Sequence, residues 1–421
     1  MSILLGAIAD DFTGATDLAN TLVKEGMRAV QVIGVPDADL DFGDANAVIV
    51  ALKSRTEPPA EAIEDSLAAL AWLKARGTRQ FFFKYCSTFD STDAGNIGPV
   101  AEALMEALDT DFTIACPAFP ANGRTLFNGH LFVGDVLLSD SGMKNHPLTP
   151  MTDANLVRVL ARQTKKPVGL VPYAAVDGGA ESIRSAYSNL KAGGFAHAIV
   201  DAISDPHLRF IGEASADLKL ITGGSGVALG LPENFRKQGL LQASATTDFH
   251  APPGRTAIIA GSCSQATRGQ IAHAQKHIAS FLIDPMELAA GQDKVAEALA
   301  WARAQNAELP ILIYSSADPE LVKQVQEKLG REKAGAMVED ALARVALGLY
   351  EQGVRRLVVA GGETSGAVVN ALQVPALRIG PEIDPGVPWT ETMGPKKLAL
   401  ALKSGNFGTQ DFFLKSFAML S

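Results

Sequence analysis

The sequence has few cysteines, no surplus of positive charge and no long apolar run. Its three cysteines, Cys86, Cys116 and Cys263, form no CxxC pair and have no metal-site spacing, which favours a reducing cytoplasm over a disulfide-bonded secreted fold. The net charge of −9 argues against a nucleic-acid-binding protein, because such proteins need a basic face. No apolar run reaches the roughly 18 residues of a membrane span, and no secretion signal is evident. We therefore expect a cytoplasmic protein with neither a membrane nor a nucleic-acid partner.

Widespread nucleotide-binding signatures are also missing. The sequence contains neither the GxxxxGKS/T P-loop nor the protein-kinase set that includes HRD. Residues 223–226 (GGSG) have the wrong spacing for the GxGxxG fingerprint of nicotinamide dinucleotide enzymes. A dehydrogenase therefore has only fold-level support, and any phosphate site must be built in another way.

What the sequence does contain is a regular alternation of strand-like and helix-like segments. Its 421 residues, 47% of them hydrophobic and 20% charged, are enough for two globular domains. The alternation predicts two three-layer α/β domains with mainly parallel sheets. The polar, proline-rich stretch 244–255 (SATTDFHAPPGR) predicts a linker between domains at 1–245 and 255–421. The predicted strands are 47–51, 81–83, 112–115, 168–171, 198–200, 218–221, 257–260, 310–314 and 357–360, and the predicted helices are 60–76, 98–108, 153–163, 180–192, 233–242, 265–280, 293–305 and 336–352.

Four segments share one pattern, in which an apolar strand breaks at a short glycine-containing or polar turn into a helix. They are residues 3–23, 218–231, 256–274 and 355–371. Such a turn directs backbone N–H groups and a helix N-terminus at a ligand, which favours an anion such as phosphate. In the C-terminal domain, the turns contain Ser262 and Ser264 in one case, and Gly361, Gly362, Glu363 and Thr364 in the other. We expect adjacent strands to present both turns to one polyphosphate.

In the N-terminal domain the candidate catalytic residues are two adjacent carboxylates, Asp10 and Asp11, which directly follow a predicted buried strand. One of them is expected to act as a general base or as a ligand for a hydroxyl group or metal, while the other caps the next helix. The alternative is that both are structural. The sequence does not decide which of the two faces the substrate.

Further polar residues follow neighbouring predicted strands and are candidates for substrate binding. Lys84, Ser87 and Asp90 combine a cation, a hydroxyl and a carboxylate, a mixture suited to a polyhydroxylated acid. Arg55 is a candidate clamp for the substrate carboxylate. Asn122 and Arg124 belong to a stiff proline-containing loop. Turn-forming and surface roles are the alternatives for these residues. Lysines near the glycine turns at 394–397 and 403–408 are expected to neutralise phosphate charge.

Seven motifs occur in order along the whole chain: IADDFTGATD, KYCSTFDST, PAFPANGR, AGSCSQAT, AGGETSGAV, GPEIDPGVPW and LALKSGNFG. Together they resemble the four-carbon acid sugar kinases, and the GSCS variant is most similar to members that act on 3-oxo-tetronate. The resemblance implies an acid-sugar domain followed by an ATP domain, with the active site in the cleft between them. It places the nucleotide contacts on Ser262 or Ser264, on Gly361 to Thr364, and on Gly405.

The implied reaction is ATP-dependent phosphorylation of the terminal C4 hydroxyl of a sugar acid, with Mg²⁺ bridging phosphate oxygens. A phosphotransferase of this class with an alcohol acceptor would convert 3-oxo-tetronate to 3-oxo-tetronate 4-phosphate. The alternatives are a D-threonate or D-erythronate 4-kinase, and a protein that binds nucleotide and sugar acid without turnover. Metal ligands and oligomeric state, including a homo-oligomer, are left open.

Overall fold

The computed structural model describes residues 3–36, 40–146, 148–242, 249–315 and 330–420. The chain divides into two compact units, Met1–Thr246 and Thr247–Ser421, which we call the N-terminal and the C-terminal unit. Residues 244–248 of the predicted linker lie outside the described residues. No helix in the described ranges is long and apolar enough to cross a membrane.

The N-terminal unit is built on a parallel sheet with the strand order β2-β3-β1-β4-β11-β5-β10-β9. Its strands are short apolar runs buried on both faces, as expected for a parallel sheet covered by helices. A small antiparallel sheet, β6-β7-β8, follows β5. The strands are β1 (Leu5–Ala9), β2 (Ala29–Ile33), β3 (Ala47–Ala51), β4 (Gln80–Lys84), β5 (Thr113–Cys116), β6 (Arg124–Phe127), β7 (His130–Val133), β8 (Val136–Leu137), β9 (Val168–Val171), β10 (His197–Val200) and β11 (Leu220–Gly223).

The helices of this unit cover the parallel sheet, and the first of them is the most enclosed. Residues 12–22 of α1 are all buried except Gly14. That enclosure holds the start of α1 firmly against the end of β1. The helices are α1 (Phe12–Lys24), α2 (Pro59–Ala75), α3 (Ile97–Ala107), α4 (Leu156–Ala161), α5 (Tyr173–Asp177), α6 (Ala180–Ala192), α7 (Asp205–Ala214) and α8 (Leu231–Lys237).

The C-terminal unit has a mixed sheet with the order β13-β14-β12-β15-β18-β17-β16. The first five strands in that order are parallel, and β17 and β16 extend the sheet antiparallel. Trp389 on β17 is fully buried, and its indole N–H donates to the Ser416 carbonyl at 2.9 Å. The strands are β12 (Arg255–Ala260), β13 (Ala279–Leu282), β14 (Ile311–Tyr314), β15 (Val354–Ala360), β16 (Ala376–Asp384), β17 (Val387–Met393) and β18 (Ala399–Lys403). The helices are α9 (Gln265–Ala274), α10 (Pro285–Ala289), α11 (Lys294–Arg303), α12 (Arg331–Glu351), α13 (Gly362–Ala371) and α14 (Phe412–Ala418).

The predicted α/β class with mainly parallel sheets is confirmed, but several elements differ from the expectation. The predicted helix 265–280 ends at Ala274, because β13 begins at Ala279 and pairs with β14 at the sheet edge. The helix predicted at 153–163 is reduced to α4 (Leu156–Ala161). Strands β2, β6 to β8, β13 and β16 to β18 were not predicted. The pairing partner of a strand decides whether such a short apolar run becomes a strand, and sequence periodicity does not reveal that partner.

Candidate functional site

In the N-terminal unit, three neighbouring strands end at the same edge of the sheet. Parallel pairing places Ala9 of β1 opposite Ala51 of β3 and Lys84 of β4. The residues that follow these strands therefore lie close together. The backbone reinforces this arrangement, because the N–H groups of Ser54 and Arg55 both donate to the Asp10 carbonyl, at 3.1 and 3.2 Å.

Arg55 joins the two predicted catalytic carboxylates. Its Nε and Nη2 donate to the two carboxylate oxygens of Asp10 at 2.9 and 2.7 Å. Nη2 also donates to Asp11 Oδ1 at 2.7 Å, and Nη1 lies 3.9 Å from Asp90 Oδ2. Nε and Nη2 of Arg55 are therefore occupied, whereas Nη1 donates no hydrogen bond to the described residues and can bind a substrate carboxylate. Its predicted clamp role stays a prediction, restricted to that nitrogen.

Asp11 is the helix cap. Its Oδ1 accepts the Gly14 N–H at 3.0 Å and its Oδ2 accepts the Thr13 hydroxyl at 2.8 Å. Gly14 is needed for this geometry, since a Cβ there would lie 2.3 Å from Asp11 Oδ1 and 2.9 Å from Lys84 Nζ. A glycine in the first turn of α1 therefore lets both charged groups approach the helix N-terminus.

The two carboxylates differ in their acidity and in their remaining hydrogen-bonding capacity. Burial raises the pKa of Asp10 above its usual value, and Arg55 offsets only part of that effect. Burial also opposes ionisation of Asp11, but Arg55, Lys84 and two hydrogen bonds together lower its pKa. Of the roughly four lone-pair positions of a carboxylate, Asp10 uses two and Asp11 uses three. Asp10 is the better proton acceptor on both counts.

The loop after β4 carries the other predicted substrate residues. Lys84 is buried, and its Nζ donates to the Tyr85 carbonyl at 2.8 Å. Ser87 is also buried. Asp90 has a φ of +40°, in the left-handed region, and accepts the Thr88 hydroxyl at 2.7 Å. Strained backbone of this kind persists only where the surrounding structure enforces it, and it is common at functional sites.

Sequence reasoning missed Asn96, which positions Arg55. The buried Asn96 side chain donates to the carbonyls of Ser54 and Glu57 at 2.6 and 2.9 Å. It thereby fixes the loop after β3 that carries Arg55. Nothing local to Asn96 identifies the loop that it binds, because the residues are about forty positions apart in sequence.

Asn122 and Arg124 lie in the loop and strand after β5, and each has a buried polar atom without a partner among the described residues. These atoms are Asn122 Nδ2 and Arg124 Nε, whereas Arg124 Nη1 donates to the Asn122 carbonyl. Unsatisfied buried donors are rare in folded proteins, and these two are suited to bind an acceptor oxygen of a ligand. Asp201, which the sequence analysis missed, fixes this region by accepting the N–H groups of Asn128 and Gly129 in the β6–β7 turn, at 2.6 and 2.9 Å.

In the C-terminal unit, the candidate nucleotide residues follow three adjacent parallel strands, β12, β15 and β18. The turns touch closely. A Cβ at Gly261 would lie 2.3 Å from Thr364 Oγ1, and one at Gly405 would lie 2.4 Å from Ser262 Oγ. Gly361 has a φ of +126°, which side-chain-bearing residues rarely adopt. The close approach and this φ explain why glycine is required in these turns.

Ser264 connects two of these turns. It caps α9 by accepting the Thr267 N–H at 3.2 Å, and its hydroxyl donates to the Gly405 carbonyl at 2.6 Å. Gly362 and Glu363 open α13, with Glu363 exposed and Thr364 buried. The structure thus brings together every candidate nucleotide residue on the carboxyl edge of this sheet, and their contact with nucleotide stays a prediction.

Lys396 and Lys403 are not exposed lysines beside the nucleotide turns, which is where phosphate neutralisation was expected. Lys396 precedes β18 and so lies at the opposite end of that strand from Gly405, donating to the Leu372 carbonyl at 2.9 Å. Lys403 is fully buried, and desolvation lowers its pKa to about 7. The glycine-rich sequence around these lysines suggested surface turns, but strand β18 carries Lys403 into the core.

The side chains near the C-terminal turns limit how Mg²⁺ would be bound. The described ranges contain no cluster of three or more His, Cys, Asp or Glu side chains arranged to hold a metal. Mg²⁺ is commonly bound through one or two carboxylates and substrate phosphates. The carboxylate of the C-terminal turns is Glu363. With this donor set, any Mg²⁺ that accompanies a nucleotide would be held chiefly by the phosphates, and Glu363 would be the carboxylate that these turns supply.

The structure thus shows a two-domain protein with a carboxylate–arginine cluster in one unit and a cluster of glycine-containing turns in the other. Residues 5–231 match the sugar-binding N-terminal domain family, and residues 257–413 match the nucleotide-binding C-terminal domain family. The chain belongs to the family of proteins that combine these two domains.

Curated relatives are similar over nearly their whole length. The 3-oxo-tetronate kinase of Cupriavidus necator is 61% identical, covering 97% of this chain and 95% of that protein. The 3-oxo-tetronate kinase of Haemophilus influenzae is 45% identical, covering 97% and 98%. Among solved structures, a Salmonella typhimurium LT2 protein is 42% identical with a TM-score of 0.88 and full coverage of both chains. A Haemophilus influenzae protein is 44% identical with a TM-score of 0.78, covering 99% and 100%.

Proposed function

We propose that this protein is an ATP-dependent kinase that phosphorylates the C4 hydroxyl of 3-oxo-tetronate, forming 3-oxo-tetronate 4-phosphate. The observation that carries this proposal is the 61% identity, over 97% of the chain, to a 3-oxo-tetronate kinase. The chemistry of the two sites supports the same reaction. A D-threonate or D-erythronate 4-kinase is the alternative within the same chemistry, and no feature of the site favours it.

The C-terminal unit is proposed to hold the nucleotide. The turns after β12, β15 and β18 combine glycine amides with the hydroxyls of Ser262, Ser264 and Thr364 at the start of two helices. Amides and helix N-termini stabilise phosphate charge without a P-loop. When bound, Mg²⁺ would add charge neutralisation at the phosphate oxygens.

The N-terminal unit is proposed to hold the sugar acid. Arg55 Nη1 and Lys84 supply positive charge for its carboxylate, and Ser87 can hydrogen-bond its hydroxyls. The unpartnered Asn122 Nδ2 and Arg124 Nε are donors that a keto or carboxylate oxygen of the acid would satisfy. A buried donor left unpaired penalises an analogue that lacks the matching oxygen, which gives the site a basis for specificity.

Asp10 is proposed to accept the proton of the C4 hydroxyl, and Asp11 to hold Arg55 and cap α1. A base works best when its pKa approaches the working pH, and burial shifts the pKa of Asp10 in that direction. The hydroxyl oxygen would attack the γ-phosphorus of ATP in line with the leaving ADP oxygen. Because the transition state of phosphoryl transfer is loose, most of the catalytic effect comes from positioning and charge stabilisation.

Two further proposals concern the whole chain. We propose that residues 1–245 and 255–421 act as the acid and nucleotide domains, and that the two ligands meet in the cleft predicted between them. We also place the enzyme in the cytoplasm, in keeping with three free thiols at Cys86, Cys116 and Cys263.

The test is a coupled ADP-release assay with ATP and, in separate reactions, freshly prepared 3-oxo-tetronate, D-threonate and D-erythronate. Phosphorus NMR of the product identifies the esterified carbon. We expect stoichiometric ADP release with 3-oxo-tetronate and a phosphate at C4. Faster turnover of a 3-hydroxy acid would reassign the substrate, and nucleotide binding without ADP release from any acid would refute the kinase proposal.

A further inference from the structure

Segment 403–409, which follows β18, has almost all of its carbonyls bound inside the protein. Lys403 Nζ donates to the carbonyls of Ser404 and Gly405 at 2.8 and 2.9 Å. The Nε2 atom of Gln270, on α9, lies within hydrogen-bonding distance of three successive carbonyls, which share its two N–H donors. They belong to Phe407, Gly408 and Thr409, at 3.1, 3.0 and 3.0 Å. Two side chains therefore capture five carbonyls of one turn.

The amides of the same turn are oriented differently. Within the described part of the chain, the N–H groups of Gly405, Asn406 and Gly408 donate no hydrogen bond. All three residues are at least partly exposed. Backbone N–H groups of a turn that have no protein acceptor and are partly exposed can bind an anion, as in backbone nests.

Lys403 is also unusual because its amino group is buried without an acidic partner among the described residues. It is fully buried, and no acidic side chain among the described residues pairs with it. Its other hydrogen bond is to the Thr267 hydroxyl at 3.1 Å. An unpaired buried ammonium is costly, so a nearby anion would relieve that cost. Nucleotide phosphates on the adjoining amides are an anion of the required kind.

We propose that Lys403 and Gln270 are positioning residues for nucleotide binding, which hold the carbonyls of segment 403–409 inward so that its amides face the phosphates. This inference rests on the proposed kinase function. It reassigns Lys403 from a lysine that touches phosphate to one that acts through the turn. It also gives a role to Gln270, which lies in the middle of α9 and outside the seven sequence motifs.

The test compares Lys403→Met and Gln270→Met with the wild type in the full chain. Methionine is as long as glutamine and one atom shorter than lysine, and it removes the donors of both side chains. The matched control is Gln80→Met in the N-terminal unit, because Gln80 Nε2 also donates to several backbone carbonyls, those of Ser215 and Leu218 at 2.9 and 2.8 Å among them. The measurements are the Kd of ADP by calorimetry, the KM of ATP, the KM of the acid, and the melting temperature.

We expect the Kd of ADP and the KM of ATP to rise about tenfold or more in both variants, since several hydrogen bonds that orient the amides are lost. The KM of the acid should stay the same, and Gln80→Met should lose stability without losing nucleotide affinity. Folded Lys403→Met or Gln270→Met protein with an unchanged Kd for ADP would overturn the inference and leave the kinase proposal intact. A wild-type protein that binds no ADP would instead refute the kinase proposal, and the inference with it.

Discussion

Replacing Asp10 or Asp11 with asparagine separates catalysis from helix capping. In Asp10→Asn, an amide NH₂ replaces one of the two oxygens that accept from Arg55 at 2.9 and 2.7 Å. One charge-assisted hydrogen bond is lost, which costs about 1.5–3 kcal/mol of the free energy of unfolding. Arg55 keeps its hydrogen bond to Asp11 at 2.7 Å, so the charge of Arg55 stays paired. The loss of unfolding free energy should therefore not exceed that range.

The effect of Asp10→Asn on turnover should be larger than its effect on stability. If Asp10 accepts the C4 proton, kcat should fall by roughly 10²–10⁴, the usual contribution of a general base. Asp11→Asn should lower kcat far less, because asparagine caps a helix about as well as aspartate and can still accept the Gly14 N–H. Neither change touches the C-terminal unit, so the Kd of ADP should stay constant.

The assay measures kcat, the KM of both substrates, the Kd of ADP and the melting temperature for each variant. Asp153→Asn is the matched control, since Asp153 accepts from Nε and Nη2 of Arg158 at 2.6 and 2.5 Å. That change removes a similar two-point ion pair and should leave kcat intact. Near-full kcat in both Asp10→Asn and Asp11→Asn would refute a base in this pair and direct the search to Asp90. A large loss confined to Asp11→Asn would reverse the assignment.

Three other predictions test the nucleotide turn at Gly405, the pKa of Lys403 and the independent folding of the C-terminal unit. Gly405→Ala should raise the KM of ATP and leave the KM of the acid constant, because the new Cβ would lie 2.4 Å from Ser262 Oγ. Unchanged nucleotide affinity in a folded variant would show that this turn does not belong to the nucleotide site. Burial lowers the pKa of Lys403 from 10.5 to about 7. Between these two pH values the unfolded state therefore binds more protons than the folded state. The free energy of unfolding should rise with pH across that window, by up to about 1.4 kcal/mol per pH unit. Denaturant titrations from pH 7 to 10 should show a smaller rise for Lys403→Met than for the wild type, and equal slopes would contradict the buried-ammonium account. A fragment that begins at Ala251 should fold and bind ADP without kinase activity, and an insoluble fragment would argue against an independent nucleotide domain.

The local sequence contains much of the information about the fold and about where the sites lie. In residues 355–371, strand, glycine and helix follow one another directly. The turn after β15 can therefore be recognised without knowledge of any distant contact. The same holds for a helix cap at Asp10 or Asp11, because capping depends on residues three positions apart, although the sequence left open which of the two is the cap. Short-range geometry of this kind is set by backbone sterics and local hydrogen bonding.

Tertiary structure decided how these local units combine. Arg55 meets Asp10 only because β3 pairs with β1, and the two residues are far apart in sequence. Gln270 and Lys403 support the turn at 403–409 from a helix and a strand that the fold brings together. Pairing order and burial depend on free energy summed over the whole unit, so a single sequence window does not contain them. The sequence by itself determined the α/β class and the turns that carry the candidate residues. Only the tertiary structure decided that Asp10 has more lone pairs left for a substrate than Asp11, and that Lys403 is buried, because both depend on neighbours distant along the chain.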